Sequence, residues 1–140
     1  MVDFKRIGLD TNVLIYYIEE HPVLMEKVEL FINKIDDGKA IGITSYVTLL
    51  ELLVKPIHEG RFDLVNKYRT ILSGKLEMVP LDEIVSIKAA ELRAKYGFRT
   101  PDAIQLASVI SRKGDVFVTN DKGLKRVTEI RVMTLEDIIM

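Results

Sequence analysis

The sequence contains no cysteine. Disulfide staples, thiolate zinc sites and a cysteine nucleophile are therefore excluded, and the absence fits a reducing cytoplasm. No apolar run reaches the roughly 18 residues that a membrane helix needs, so no span is expected. The opening Met1-Val2-Asp3-Phe4-Lys5-Arg6 lacks the apolar stretch of a signal peptide. Bulk positive charge is missing too. The 20 Lys and Arg stand against 21 Asp and Glu, for a net charge of −1, which argues against indiscriminate polyanion binding. No internal repeat, low-complexity tract or linker interrupts the chain, and a single domain over residues 1–140 is expected.

What is present is apolar material. Hydrophobic residues make up 48% of the 140, a high share for so short a chain, so part of that surface is expected under a partner. Charge is unevenly spread. Up to Ile87 there are 10 basic and 14 acidic residues; from Lys88 onward there are 10 basic and 7 acidic. A basic surface beside an acidic pocket suits the handling of a polyanion, although ordinary solvated helix faces account for the same lysines.

Short apolar strands alternate with amphipathic helices. Strands are expected at Arg6–Asp10, Ala40–Ile43, Leu76–Val79, Val116–Thr119 and Ile130–Met133. The first helix buries Val13, Leu14, Tyr17 and Ile18. The second is opened by Pro22 and stopped by Asp37-Gly38. The third is capped by Thr44 or Ser45 and runs through Val54 towards His58. Others span Phe62–Leu72, ended by Ser73-Gly74, then Glu83–Tyr96, and Thr100 to about Lys113, with a short tail at Leu135–Met140. The strands lack a clean period of two, which points to a parallel sheet covered by helices on both faces.

Four acids stand out. Asp10 directly follows Ile7-Gly8-Leu9, at the carboxyl end of a strand, where open α/β sheets hold ligands; it also reads as a helix cap. Glu51 lies in Val47-Thr48-Leu49-Leu50-Glu51-Leu52-Leu53-Val54, where a lone carboxylate is costly without a partner or a polar pocket. A capping box with Thr48 is the competing explanation. Asp102 follows Thr100 as cap and Pro101 as first helical residue, a place the helix dipole alone favours. Asp121 ends Val116-Phe117-Val118-Thr119-Asn120-Asp121, past a strand end, and also reads as a turn residue. Each is weak alone, but all four can converge at one edge of a parallel sheet. Four ionised carboxylates in one pocket repel. A hard divalent cation, Mg²⁺ or Mn²⁺, removes that conflict.

These residues resemble a PIN domain. The resemblance rests on Leu9-Asp10-Thr11-Asn12-Val13-Leu14-Ile15, on Thr48-Leu49-Leu50-Glu51, on Thr100-Pro101-Asp102-Ala103-Ile104-Gln105-Leu106-Ala107 and on Val118-Thr119-Asn120-Asp121. It covers essentially the whole chain, whose size is similar to that of the VapC-type toxins of prokaryotic toxin–antitoxin pairs. It implies a three-layer α/β/α sandwich with a short, mostly parallel central sheet, and Mg²⁺-dependent endonucleolytic cleavage of RNA. Asp10, Glu51, Asp102 and Asp121 match the family's acidic positions. Asn12 and Thr119 match its supporting polar positions.

The chemistry so implied is phosphodiester hydrolysis at a metal. Asp10 and Asp102 would hold the principal ion, with Glu51 and Asp121 acting through water or on a second one. Glu51 is the candidate proton acceptor. His21 and His58 read as surface residues, and Arg99, Lys122 and Lys125 as candidate phosphate contacts. Two alternatives compete: a non-catalytic PIN-fold module that binds RNA or protein, and a Mg²⁺-dependent phosphatase. Phosphatases of the haloacid dehalogenase type carry a second Asp two residues after the first, and Asn12 stands there. The apolar excess around Val23–Ile35 and Val47–Val54 leads to the expectation of a homodimer and of a cognate antitoxin laid in a groove.

Overall fold

The computed structural model describes residues 3–139. Met1, Val2 and Met140, at the ends of the N-terminal stretch and the C-terminal tail considered above, lie outside the described residues. Five strands, β1 (Arg6–Leu9), β2 (Ile41–Ser45), β3 (Leu76–Val79), β4 (Val116–Thr119) and β5 (Val132–Thr134), form one sheet in the order β3-β2-β1-β4-β5. Every pairing is parallel.

Among the described residues six α-helices cover the sheet: α1 (Thr11–Ile18), α2 (Met25–Asp36), α3 (Tyr46–His58), α4 (Phe62–Lys75), α5 (Glu83–Tyr96) and α6 (Thr100–Ser111). From β1 the chain winds outward to β2 and β3, then crosses back to β4 on the other side of β1. Crossovers between parallel strands are right-handed, so a change of winding direction moves the helices to the opposite face. Two apolar cores follow. One packs Ile7, Leu9, Val116 and Val118 against α1, α2, α3 and α4. The other packs Ile43 and Phe117 against α5 and α6. This is the three-layer sandwich read from the sequence.

Gly8 belongs to this packing. A Cβ at Gly8 would lie 2.5 Å from Val109 Cγ2. The bare backbone of β1 therefore lets α6 sit close against the sheet, and α6 carries Asp102.

Several element ends differ from the sequence reading. Helix α2 begins at Met25, not Pro22, because His21 Nδ1 accepts the N–H groups of Val23 and Leu24 and holds those residues in a turn. Gly74 does not end α4; the helix continues to Lys75, where extended Leu76 leads straight into β3. β2 reaches Ser45, extended by pairing of Thr44 with Met78 and of Ser45 with Val79. β5 is shifted to Val132–Thr134, and Ile130 instead fills the second core. Of the tail, Leu135–Asp137 is a 3-10 turn. Among the described residues no helix is long and apolar enough to cross a membrane.

Candidate active site

The chain reverses its winding between β1 and β4, and ligands of open α/β sheets bind at such switch points, past the strand ends. Leu9 pairs with Val118 there, so the next residues out, Asp10 and Thr119, are neighbours. Thr119 Oγ1 donates to Asp10 Oδ2 at 2.7 Å. Asp10 Oδ1 accepts the Thr11 N–H at 2.8 Å and caps α1. Asp10 thus caps α1 from the strand-end position at the switch point. Asp10 is only 8% exposed. Burial pushes its pKa up to about 6, against the Thr119 and Thr11 hydrogen bonds, and repulsion from Asp102 and Glu51 adds to the rise. Three of the four acids therefore feel one another.

Glu51 reaches the site from α3, but its position corrects the sequence argument. It is solvent-exposed, not buried among apolar side chains. The solvent face of α3 carries Leu50 and Val54 beside it. Nor does it close a capping box, because Ser45 caps α3 by accepting the Val47 N–H. What holds Glu51 is Thr11, whose hydroxyl donates to Glu51 Oε1 at 2.8 Å.

Asp102 lies in the first turn of α6. Arg99, not Thr100, is the N-cap residue, since its carbonyl accepts the first helical bond, from Ala103 N–H at 3.0 Å. Thr100 and Pro101 are therefore already helical, one position earlier than expected. Arg99 Nε pairs with Asp102 Oδ2 at 3.2 Å. Asp121 caps the 3-10 turn Lys122–Arg126 through Gly123 N–H at 2.9 Å. Its own N–H donates to Thr119 Oγ1 at 3.1 Å, so Thr119 joins Asp10 to Asp121.

The residues the sequence reading missed are polar ones beneath the acids. Gln105 on α6 donates through Nε2 to Thr11 Oγ1 at 2.9 Å and to Thr48 Oγ1 at 2.7 Å. Thr44 Oγ1 lies 2.8 Å from Thr48 Oγ1 and 3.0 Å from the Leu9 carbonyl oxygen. A signal was present: Gln105 interrupts the apolar run Ala103-Ile104-Gln105-Leu106-Ala107, the same anomaly that drew attention to Glu51. The candidate phosphate contacts are all engaged, Arg99 as above, Lys122 with Glu136 and Lys125 with Asp137. Such exposed pairs open at little cost.

The donor chemistry suits a hard divalent ion. The acids offer only carboxylate oxygens, burial and, to a smaller extent, repulsion from Asp102 and Glu51 raise Asp10, and Asn12 Oδ1, two residues on, is buried without a hydrogen-bond partner among the described residues. The carboxylates are nevertheless turned to protein donors. Among the described residues no three acids stand together as a preformed metal-binding group.

The same fold is found in solved structures. VapBC2 from Rickettsia felis bound to a promoter DNA fragment matches with a TM-score of 0.75 at 18% identity, over 92% of this chain and 98% of the matched one. A toxin–antitoxin complex from Klebsiella pneumoniae matches with a TM-score of 0.70 at 19% identity, over 92% and 97%. DNA-bound VapBC from Salmonella typhimurium gives 0.69 at 23% identity, over 94% and 98%. No curated protein matches the sequence. The family model described as PIN domain matches residues 7–130. With that span and this parallel sheet, the chain belongs to the PIN domain family.

Proposed function

We propose that this chain is a Mg²⁺- or Mn²⁺-dependent endoribonuclease that hydrolyses RNA phosphodiester bonds, the toxin of a cytoplasmic toxin–antitoxin pair. The observation that carries the reading is the buried Asp10 at the sheet's switch point, its pKa raised by burial and by repulsion from Asp102 and Glu51. Asp10 and Asp102 would hold the principal ion, with Glu51 and Asp121 completing the set. A bound divalent ion lowers the pKa of its water and offsets charge on the reacting phosphate.

The chain's own residues supply the rest. Thr119 orients Asp10 by donating to Oδ2, leaving Oδ1 on the Thr11 N–H. Glu51, exposed at the rim and held by Thr11, would accept a proton from the attacking water. Arg99 and Lys122, whose ion pairs are exposed, are free to exchange a carboxylate for an RNA phosphate. A groove between α1, α3 and α4, floored by Ile15, Leu52, Pro56 and Tyr68, opens onto Glu51. An antitoxin segment with apolar residues for the groove and a basic side chain for the acids would block the ion. The Klebsiella and VapBC neighbours are toxin–antitoxin structures, which supports such a partner.

Purified protein with Mn²⁺ or Mg²⁺ is expected to cut RNA, and Asp10→Asn and Asp102→Asn to abolish cutting. Retained cleavage in both variants would overturn the assignment. A non-catalytic binding module of the same fold would leave RNA intact and bind no ion at these acids.

A further inference from the structure

Gln105 is 2% exposed and lies three residues after Asp102 on α6, so the two share a helix face. Its amide nitrogen meets two hydroxyls, Thr11 Oγ1 on α1 and Thr48 Oγ1 on α3. An amide NH₂ only donates, so both hydroxyl oxygens must accept from it and turn their single protons elsewhere. Thr11 then has one strong acceptor, Glu51 Oε1 at 2.8 Å, in preference to Thr48 Oγ1 at 3.1 Å. Thr48 Oγ1 is a shared acceptor: Thr44 Oγ1 lies 2.8 Å away as a donor, with the Leu9 carbonyl as its second acceptor at 3.0 Å. The donors form a one-way chain running from Gln105 through Thr11 to Glu51.

The amide has one alternative orientation. With oxygen and nitrogen exchanged, the amide oxygen would compete with Glu51 for the Thr11 proton. Two amide N–H groups would also be buried where Oε1 now lies without a partner. Leaving one carbonyl unpaired is the lesser loss, since a buried N–H is the rarer orphan. The observed orientation is therefore the favoured one, and it has a consequence for an acid that is otherwise exposed and free to rotate.

We infer that Gln105 is a positioning residue: by forcing the polarity of the Thr11 hydroxyl, it fixes the Thr11 proton on Glu51 and holds that carboxylate beside Asp10 and Asp102. This rests on the ribonuclease reading only for its kinetic consequence; the hydrogen-bond chain exists in the metal-free protein. Among the described residues Gln105 hydrogen-bonds to none of the four acids, and acts on Glu51 through Thr11.

Two measurements test it. In metal-free wild-type protein, NMR is expected to show the Gln105 side-chain amide protons protected from water exchange, with cross-peaks to slowly exchanging Thr11 and Thr48 hydroxyl protons. Amide protons that exchange freely, or contact neither hydroxyl, would overturn the inference. In RNA cleavage, Gln105→Met keeps length and removes the donor, and Gln105→Glu replaces the donor with an acceptor. Both are expected to lower kcat about 10- to 100-fold, as loss of an outer partner of a ligand does, with KM for RNA unchanged. Thr11→Ser, which keeps the hydroxyl, is expected to retain activity that Thr11→Val loses. Wild-type kcat in Gln105→Met, or a loss equally divided with KM, would overturn the inference. If either variant does not fold, or if wild type cuts no RNA, the NMR result alone decides it; the second case would sink the ribonuclease reading without touching the chain of hydroxyls.

Discussion

Thr119 Oγ1 stands 2.7 Å from Asp10 Oδ2 and gives that carboxylate a side-chain hydrogen bond across the strand pair β1–β4. The same hydroxyl oxygen accepts the Asp121 N–H. Thr119→Val fills the same volume and removes both functions. The expected result is an Asp10 pKa above about 6 and RNA cleavage reduced about 10- to 100-fold, while Thr119→Ser stays near wild type. Cleavage assays on the pair check this, and a fully active Thr119→Val would show that the bridge has no part in the reaction.

Asp10 makes metal-free stability depend on pH in the direction opposite to a salt-bridged carboxylate. Its pKa rises from 3.8 when unfolded to about 6 when folded, a difference of about 3 kcal/mol in total. Below the lower value both states are protonated and nothing is lost. Between the two the folded state binds more protons, so stability falls as pH rises, and the full cost is present above about 6. Asp10→Asn is therefore expected to stabilise the metal-free protein at pH 8, by up to about 3 kcal/mol, and to be near neutral at pH 4. Urea unfolding at the two pH values measures it. Added Mn²⁺ at pH 8 is expected to stabilise wild type and not the variant.

The parts of this molecule that were legible in its sequence are those governed by strong local chemistry. Alternating apolar strands and helices gave the parallel sandwich, and Leu9-Asp10 placed an acid at a strand end, because nothing but chain direction decides which end that is. The rest depends on pairing and on contacts distant in sequence. Gly74 looked like a stop, yet it stays helical because α4 runs without a loop into β3. Pro22 looked like a helix start, yet His21 captures the two N–H groups that follow Pro22. Glu51 was singled out as a buried charge and is an exposed one; its tie to the site is Thr11, 40 residues away. Gln105 meets Thr11 across 94 residues, and no local pattern announces such a partner.

The closeness of α6 to the sheet depends on Gly8. A valine there would drive its Cβ into both Val109 methyl groups, at 2.5 and 2.6 Å. Overpacking of this kind costs about 1–3 kcal/mol, and here it would also push away the helix bearing Asp102 and Gln105. Gly8→Val is expected to destabilise the protein and to weaken cleavage. Combining it with Val109→Ala is expected to recover part of both. Additive losses in the double variant, measured by denaturant unfolding, would contradict the steric account.

Arg99 is 80% exposed on its side chain while pairing with Asp102. Exposed pairs contribute about 0–1 kcal/mol, so Arg99→Ala is expected to change stability by no more than that. Its electrostatic effect should appear elsewhere. Removing a cation beside Asp102 is expected to tighten Mn²⁺ binding by about two- to fivefold at low salt, and less in 0.5 M salt, where the Debye length falls below about 5 Å. In the same variant RNA binding is expected to weaken. Calorimetric titration at two salt concentrations separates the effects, and unchanged Mn²⁺ affinity at low salt would mean that the pair is not felt at the acids.

Of the two apolar helices named for a dimer, α3 rather than α2 keeps an exposed apolar stripe. Helix α2 buries Val28, Phe31 and Ile32 within its own chain. Along α3, in contrast, Tyr46, Leu50, Val54 and Ile57 remain exposed, with Leu50 at 64% and Val54 at 61%. Their spacing of four, four and three residues puts them on one stripe. Burying side chains of this kind contributes up to about 1.5–3 kcal/mol each when complete, against the cost of joining two chains. Light scattering is expected to show a dimer at micromolar concentration, and Leu50→Asp with Val54→Asp a folded monomer with unchanged circular dichroism. Because Glu51 sits beside Leu50 on the same helix, the double variant also reports whether cleavage needs the dimer. Wild-type protein that is monomeric at that concentration would remove the stripe from the list of contacts between copies and leave it to the antitoxin.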